Sequence, residues 1–152
     1  MKIGIGADHR GFKLKSLIKK FLVKKGYSVV DYGTNSEISV DYPPIALQVA
    51  QDIINKKLRF GILLCYSGQG MAIAANKVRG IRAAICNDSA VAQVTRAHNN
   101  ANVLVIPAGF VSTGKKLQSI IDVFLTTKFE GGRHLRRLNI IKTYENSSLH
   151  NR

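Results

Sequence analysis

"GILLCYSGQGMAIAANK", residues 61–77, is the stretch that best indicates how this chain folds. Apolar residues run up to Cys65, the loop "YSGQG" follows, and "MAIAANK" then has the composition of a helix. A strand, a tight turn and a helix in this order are typical of α/β proteins. We therefore expect Cys65 at the end of a strand, beside the backbone amides that open the next helix.

Short apolar segments alternate with amphipathic segments along the whole chain. The predicted strands are 2–7, 28–32, 59–64, 81–86 and 101–107, and the predicted helices are 12–25, 43–57, 70–78, 88–98, 113–127 and 132–146. Apolar strands separated by helices predict a five-stranded parallel sheet with helices on both faces, which is an α/β fold. In such sheets the functional site lies at the carboxyl ends of the strands.

The composition predicts a single domain over residues 1–152, with a disordered tail from about residue 147. Hydrophobic residues make up 45% of the chain, but no apolar run approaches the roughly 20 residues of a membrane span. Charged residues at 8–10 interrupt the segment that a signal peptide would need. Two cysteines are too few for a disulfide scaffold. We therefore expect a cytoplasmic protein with no membrane association.

The net charge of +14 favours an anionic partner, such as a phosphorylated metabolite, a nucleic acid or a membrane surface. In the segment 12–25, however, apolar residues form one helical stripe and the lysines lie off it. Such lysines form a solvated face. Aromatic residues are few and no nucleic-acid-binding motif is present, so we expect no nucleic-acid partner.

Chemically active side chains cluster around the predicted strand ends. Asp8 and His9 follow the first strand, Cys65 follows the third, and His98 and Asn99 precede the fifth. We expect all of them at one edge of the sheet, in the pattern of an active site. Amides at a helix start favour an anion and would stabilise a thiolate there, so the cysteine could act as a base or as a nucleophile.

Other motifs give weaker signals. "GIGADHRG" lacks the third glycine of a dinucleotide fingerprint, and "GFVSTGKK" (109–116) lacks the Ser or Thr of a P-loop. No Cys and His residues have the spacing of a zinc site, so we expect no metal. Arg133 and Arg137 are four residues apart in the last predicted helix, and this spacing suits a phosphate clamp.

Five segments together resemble the ribose-5-phosphate isomerase B family and its relatives, including galactose-6-phosphate isomerase subunits. They are "GADHRGFKLK", "VDYP", "GILLCYSGQGMAIAANKVRGIRAA", "RAHNNANVL" and "FEGGRH". The resemblance implies a Rossmann-like three-layer sandwich whose C-terminal helix packs on a partner subunit. It implies a homodimer, or a dimer of dimers, with the site at the subunit interface. It also implies conversion of an aldose phosphate to a ketose phosphate without metal or organic cofactor.

The resemblance also implies roles for individual residues. Cys65 would be the base that moves a proton between two sugar carbons, and Ser67 would shuttle a proton between the oxygens. His98, with Asp8 nearby, would open the sugar ring. Met71 occupies the position where one branch of the family has a glutamate base, so this chain resembles the cysteine type. The implied substrate-binding residues are Gly68 and Gly70 for the enediolate oxygens, Tyr42 and Asn99 for sugar hydroxyls, and His9, Arg133 and Arg137 for the phosphate.

Two positions depart from the family pattern. Tyr66 stands where a glycine is common, and "PAGF" (107–110) lacks the arginine often found after the fifth strand. These changes leave three sugars open: ribose 5-phosphate, allose 6-phosphate and galactose 6-phosphate. Three other readings also remain, namely a basic nucleic-acid-binding domain, a hydrolase or transferase using Cys65 and His98 through a covalent intermediate, and a degenerate subunit of a heteromeric isomerase.

Overall fold

A computed structural model describes residues 1–147, which form five strands and six helices in regular alternation. In chain order these are β1 (Lys2–Ala7), α1 (Phe12–Lys24), β2 (Ser28–Gly33), α2 (Pro43–Ile54), β3 (Phe60–Cys65), α3 (Gln69–Ala75), β4 (Ala83–Ile85), α4 (Ser89–Asn99), β5 (Val103–Pro107), α5 (Lys115–Thr126) and α6 (Gly132–Ser147). The tail predicted from about residue 147 lies, from residue 148 onward, outside the described residues.

The five strands form one parallel sheet in the order β2-β1-β3-β5-β4. Helices α1, α4 and α5 contribute buried side chains to one face, and α2 and α3 cover the other. The core strand β3 is buried at every residue, which explains its unbroken apolar sequence. The predicted three-layer α/β architecture is therefore confirmed.

The observed element bounds differ from the predicted ones in two informative places. Helix α2 ends at Ile54, because Lys56 adopts a left-handed backbone conformation with φ of 60° that a helix does not accommodate. Strand β4 is only three residues long, at the edge of the sheet, although the apolar run around it spans 81–86. The apolar run is longer than the strand because the flanking residues Ile81 and Cys86 are also buried.

Helix α1 is fixed to the sheet by a buried lysine. Lys15 is 1% exposed, and its Nζ donates to Asp31 Oδ1 at 2.6 Å and to the Thr34 carbonyl oxygen at 2.7 Å. Burial by itself raises the pKa of Asp31. Hydrogen bonds and charges from Lys15 and Lys19 outweigh it, so the pKa lies below the ordinary value of 3.8. Both charged groups of this buried ion pair therefore have hydrogen-bond partners.

The parallel sheet has two distinct ends, which we call the carboxyl edge and the amino edge. Residues that follow a strand lie at the carboxyl edge, and residues that precede a strand lie at the amino edge. The four helices that connect two strands, α1 to α4, run back from the first to the second, because parallel strands require a crossover. Within the part of the chain that the structure describes, no helix is long and apolar enough to cross a membrane.

Candidate active site

Cys65 is the last residue of β3 and marks the centre of the carboxyl edge. Its side chain is buried, and its Sγ accepts a hydrogen bond from the Gly68 backbone N–H at 3.2 Å. Gly68 has φ of 78°, a conformation that favours glycine, and it turns the chain into α3. The turn therefore aims a backbone amide at the sulfur from the start of α3. The local sequence therefore produces a base or nucleophile on a rigid strand end.

Asp8 lies beside this strand end. Its backbone N–H donates to the Leu64 carbonyl oxygen at 3.2 Å, so β1 and β3 deliver Asp8 and Cys65 side by side. The Asp8 carboxylate is buried and accepts hydrogen bonds from the Arg10 and Gly11 amides at 2.9 and 3.1 Å. These bonds fix the turn before α1. The carboxylate oxygen Oδ1 takes both bonds, which leaves Oδ2 with lone pairs for a substrate group.

Tyr42 covers the start of α3. A Cβ built on Gly70 would lie 2.5 Å from the Tyr42 Cζ, so only a glycine lets the ring lie against this turn. Ser67 lies on the same turn, where its Oγ accepts from the Gln69 N–H at 3.3 Å. His9 joins the loop that leads to Tyr42, because its Nδ1 accepts from the Val40 N–H at 3.3 Å.

The structure therefore brings together one part of the predicted site at the carboxyl edge. We call it the carboxyl-edge group: Asp8, His9, Tyr42, Cys65, Ser67, Gly68 and Gly70.

His98, Asn99, Arg133 and Arg137 do not belong to this group, contrary to the expectation that all active side chains share one edge. His98 and Asn99 end α4, just before β5 begins, so they lie at the amino edge. Strand β5 alone separates the two edges by about 13 Å at 3.3 Å per residue. The crossover rule that predicted α4 also requires its last residues to lie opposite the ends of the strands.

Arg133 and Arg137 lie near His98 because α6 begins beside the end of α4. The Glu130 N–H donates to the Ala97 carbonyl oxygen at 3.0 Å, and α6 starts two residues later. We call these residues, with two partners described next, the amino-edge group: His98, Asn99, Glu130, Arg133, His134 and Arg137.

Sequence reasoning missed two members of the amino-edge group. The rings of His98 and His134 stack with centroids 4.1 Å apart and planes 7° from parallel. Glu130 Oε2 lies 3.7 Å from His98 Nε2 and 3.6 Å from His134 Nε2. Burial, with the nearby charges of His98 and Arg133, lowers the pKa of His134. The Glu130–His134 spacing of four residues on either side of "GG" was the available signal.

These three side chains have the chemistry of metal ligands, since one ligand atom from each lies within 4.8 Å of the others. The stacked rings, however, direct their Nε2 lone pairs along nearly parallel planes. Two lone pairs in parallel planes do not converge on one ion at bonding distance. In this arrangement the Glu130 carboxylate, 3.6–3.7 Å from each ring, is an ion-pair partner for a protonated imidazole and not a hydrogen-bond acceptor.

The two departures from the family pattern meet at the mouth of the carboxyl edge. The Tyr66 ring lies 5.5 Å from the Phe110 ring, measured between centroids. The guanidinium carbon of Arg10 lies 5.7 Å from the Tyr66 centroid. A Cβ on Gly109 would lie 2.4 Å from the Tyr66 ring. Two aromatic rings and one arginine thus form a wall beside the site.

Cys86 lies apart from this chemistry. It is fully buried at the end of β4, and burial raises the pKa of its thiol to about 11. It remains protonated at neutral pH. Cys65 is therefore the cysteine available for proton transfer or nucleophilic attack.

Comparison with known proteins shows the family of this chain. Residues 3–141 match the family model described as Ribose/Galactose Isomerase. A protein of Rickettsia bellii, whose name assigns it only provisionally to the sugar phosphate isomerases, is 51% identical over 136 residues, covering 90% of this chain and 94% of its own. Ribose-5-phosphate isomerase B of Escherichia coli is 42% identical over 144 residues, covering 95% of this chain and 96% of its own.

Solved structures indicate the same family. Ribose-5-phosphate isomerase B of Clostridium thermocellum superposes with a TM-score of 0.94 at 44% identity, over 97% of this chain and 99% of its own. The enzyme of Mycoplasma genitalium with bound ribulose-5-phosphate superposes with a TM-score of 0.89 at 42% identity, over 95% of this chain and 96% of its own. The chain therefore belongs to the ribose/galactose isomerase family.

Proposed function

We propose that this protein is an aldose–ketose isomerase that interconverts ribose 5-phosphate and ribulose 5-phosphate. The observation that carries the proposal is the Cys65 Sγ at the end of β3, held 3.2 Å from the Gly68 amide at the turn into α3. Isomerisation needs a base for a C–H proton and donors for a developing oxyanion, and this turn offers both. The named ribose-5-phosphate isomerases at 42–44% identity support the choice of reaction.

In the proposed reaction, the Cys65 thiolate removes the proton from C2 of the open-chain aldose. Electrons move into the carbonyl, and an enediolate forms. The backbone amides from Ser67 to Gly70 stabilise its oxygens, and the Ser67 hydroxyl carries a proton from O2 to O1. The thiol then returns its proton to C1, which gives the ketose. No electrons leave the substrate, so the reaction requires no redox cofactor.

The proposal requires two copies of the chain, because the carboxyl-edge and amino-edge groups are a strand length apart. In a two-fold homodimer, the amino-edge group of one subunit would face the carboxyl-edge group of the other. His98 would then open the sugar ring next to the partner's Asp8, and Asn99 would bind a sugar hydroxyl. Arg133 and Arg137 would bind the phosphate together with the partner's His9. Such dimers could pair into tetramers.

Helix α6 offers the surface for this dimer. Its only buried residue is His134, whereas four large hydrophobic side chains of the helix are 48–74% exposed: Leu135, Ile140, Ile141 and Tyr144. Exposed large apolar side chains in this number are typical of a protein–protein contact. We therefore propose that this helix packs on the partner subunit, as the family resemblance implies.

A six-carbon sugar phosphate is the second candidate substrate. The wall of Tyr66, Phe110 and Arg10 changes the shape and charge of the mouth relative to the family pattern. Phe110 supplies no charge for a phosphate group, so Arg10 is the cation that remains on this side of the site. Allose 6-phosphate and galactose 6-phosphate therefore belong in the same assay as ribose 5-phosphate.

The test is interconversion of the pentose phosphates by the purified protein in the presence of EDTA. We expect turnover in the unmodified chain, and a loss of about 10²–10⁴-fold or more in Cys65→Ala, as for removal of a general base. Cys86→Ala is the matched control and should retain the rate if it folds. Near-full activity of Cys65→Ala would refute the assigned base. A covalent sugar adduct on Cys65, trapped by acid and seen by mass spectrometry, would favour the hydrolase or transferase reading.

A further inference from the structure

A cavity lies at the amino edge of the sheet, opposite the carboxyl-edge group. Its volume is about 550 Å³. Six cationic side chains line it: Lys2, Lys56, Lys57, Arg59, Arg82 and Arg96. Backbone hydrogen bonds connect the segments that carry them, since Arg59 N–H donates to the Lys2 carbonyl oxygen at 2.9 Å and Asn102 N–H donates to that of Arg82 at 3.1 Å. The segments that carry these six cations therefore meet at the amino edge, and we call the six cations the rim.

Little negative charge balances this rim in the described part of the chain. Asp52 lies close to the rim, but its carboxylate already has two partners. Lys57 Nζ lies 3.0 Å from Oδ1, and the Tyr32 hydroxyl donates to Oδ2 at 2.7 Å. Arg82 is held by two carbonyl oxygens, those of Asn100 at 3.0 Å and Gly80 at 3.2 Å. The charge of Glu145 also acts on Arg82. Asp52 and Glu145 therefore offset part of the six positive charges, and the rim keeps a net positive charge.

Arg96 is the most unusual member of the rim. It is 5% exposed and stacks on Phe60, 4.8 Å from the ring centroid. Its Nη1 donates to Asn100 Oδ1 and to the Ala101 carbonyl oxygen, and its Nη2 donates to the Thr127 carbonyl oxygen. Its buried Nε has no hydrogen-bond partner. Burial, followed by the like charges of Arg59 and Arg82, lowers the pKa of Arg96. A bound anion would relieve this repulsion.

We propose that the amino-edge cavity binds a small molecule that carries two or more phosphate groups. The volume is within the range of about 300–1,000 Å³ typical of small-molecule sites, and a concave pocket excludes the rod of a nucleic-acid duplex. Six cations from four segments exceed what a single phosphate dianion would engage. Guanidinium groups suit paired phosphate oxygens. The residues are distinct from those proposed for the substrate phosphate, so this site is independent of the proposed isomerase function.

Pyrophosphate is the probe, measured by isothermal titration calorimetry. The measurement uses a chain with His9→Gln, Arg133→Gln and Arg137→Gln, so that the proposed substrate-phosphate residues do not contribute. We expect one saturable site per chain. Adding Lys2→Gln and Arg59→Gln, which are both exposed and leave the buried arginines in place, should weaken binding by about tenfold or more.

Lys115→Gln with Lys116→Gln removes the same charge from the exposed start of α5 and should leave pyrophosphate binding unchanged. Thermal melting of each variant establishes that it is folded. Absence of saturable binding, or an equal loss in the control, would overturn the proposal. So would tighter binding of a single-stranded RNA 20-mer that is lost with the same two substitutions, because the cavity would then be part of a nucleic-acid surface.

Discussion

Gly70→Ala isolates the contribution of Tyr42 to catalysis. The added Cβ would lie 2.5 Å from the Tyr42 Cζ, whereas ordinary contact begins at 3.4 Å. The ring is 37% exposed and can move outward, by about 1 Å, and a displacement of this size can cost about 10²-fold in rate. The backbone is unstrained, because Gly70 lies in α3 without a positive φ. An alanine there should stabilise the fold by about 0.5–1 kcal/mol.

We therefore expect kcat/KM for the sugar phosphate to fall about 10–100-fold while the free energy of unfolding, measured in urea, stays equal or rises. The control is a double-mutant cycle with Tyr42→Ala, which removes the ring. In that background, Gly70→Ala should have no further effect on kcat/KM. An equal loss in both backgrounds would show that the methyl group acts on the amide turn and not through Tyr42, and unchanged kinetics in the single variant would refute the assignment of the ring.

Three further predictions concern stability and thiol chemistry. Asp31→Asn should lower the free energy of unfolding by about 3–5 kcal/mol, because it leaves the buried Lys15 ammonium unpaired, and Lys15→Met should cost less. Folding lowers the pKa of Asp31, so its contribution to the free energy of unfolding should be present above about pH 4 and be lost as the pH falls further. Urea melts of Asp31→Asn should show a smaller loss of stability over the same pH range. Iodoacetamide at pH 8 should alkylate Cys65 and leave Cys86, whose pKa is about 11, unmodified; rapid labelling of Cys86 by peptide mapping would contradict this.

Most of the fold follows from local patterns. Apolar strands such as 60–65 pack on both faces and carry no alternation, which is the signature of a covered parallel sheet. Helix ends were harder to predict, because the positive φ that ends α2 falls on Lys56, a residue that does not signal this conformation as a glycine would. The strand order with β3 between β1 and β5 depends on long-range packing that no single segment encodes.

The site was predictable as a set of residues but not as an arrangement. "CYSGQG" identified Cys65 and its amide turn because the chemistry is local in sequence. His98 was assigned to the wrong edge, although its position just before β5 in the sequence already places it at the amino end of that strand. Glu130 and His134 escaped notice because their partnership with His98 arises from α6 packing beside α4.

The most direct test of the account is complementation between two inactive chains, Cys65→Ala and His98→Ala. They are mixed, unfolded and refolded together, and assayed for pentose phosphate isomerisation. If each site takes Cys65 from one subunit and His98 from the other, random pairing yields half heterodimers with one intact site each, and about a quarter of the unmodified activity returns. If both residues act from the same chain, every site in every dimer carries one defect, and the mixture stays as inactive as its components.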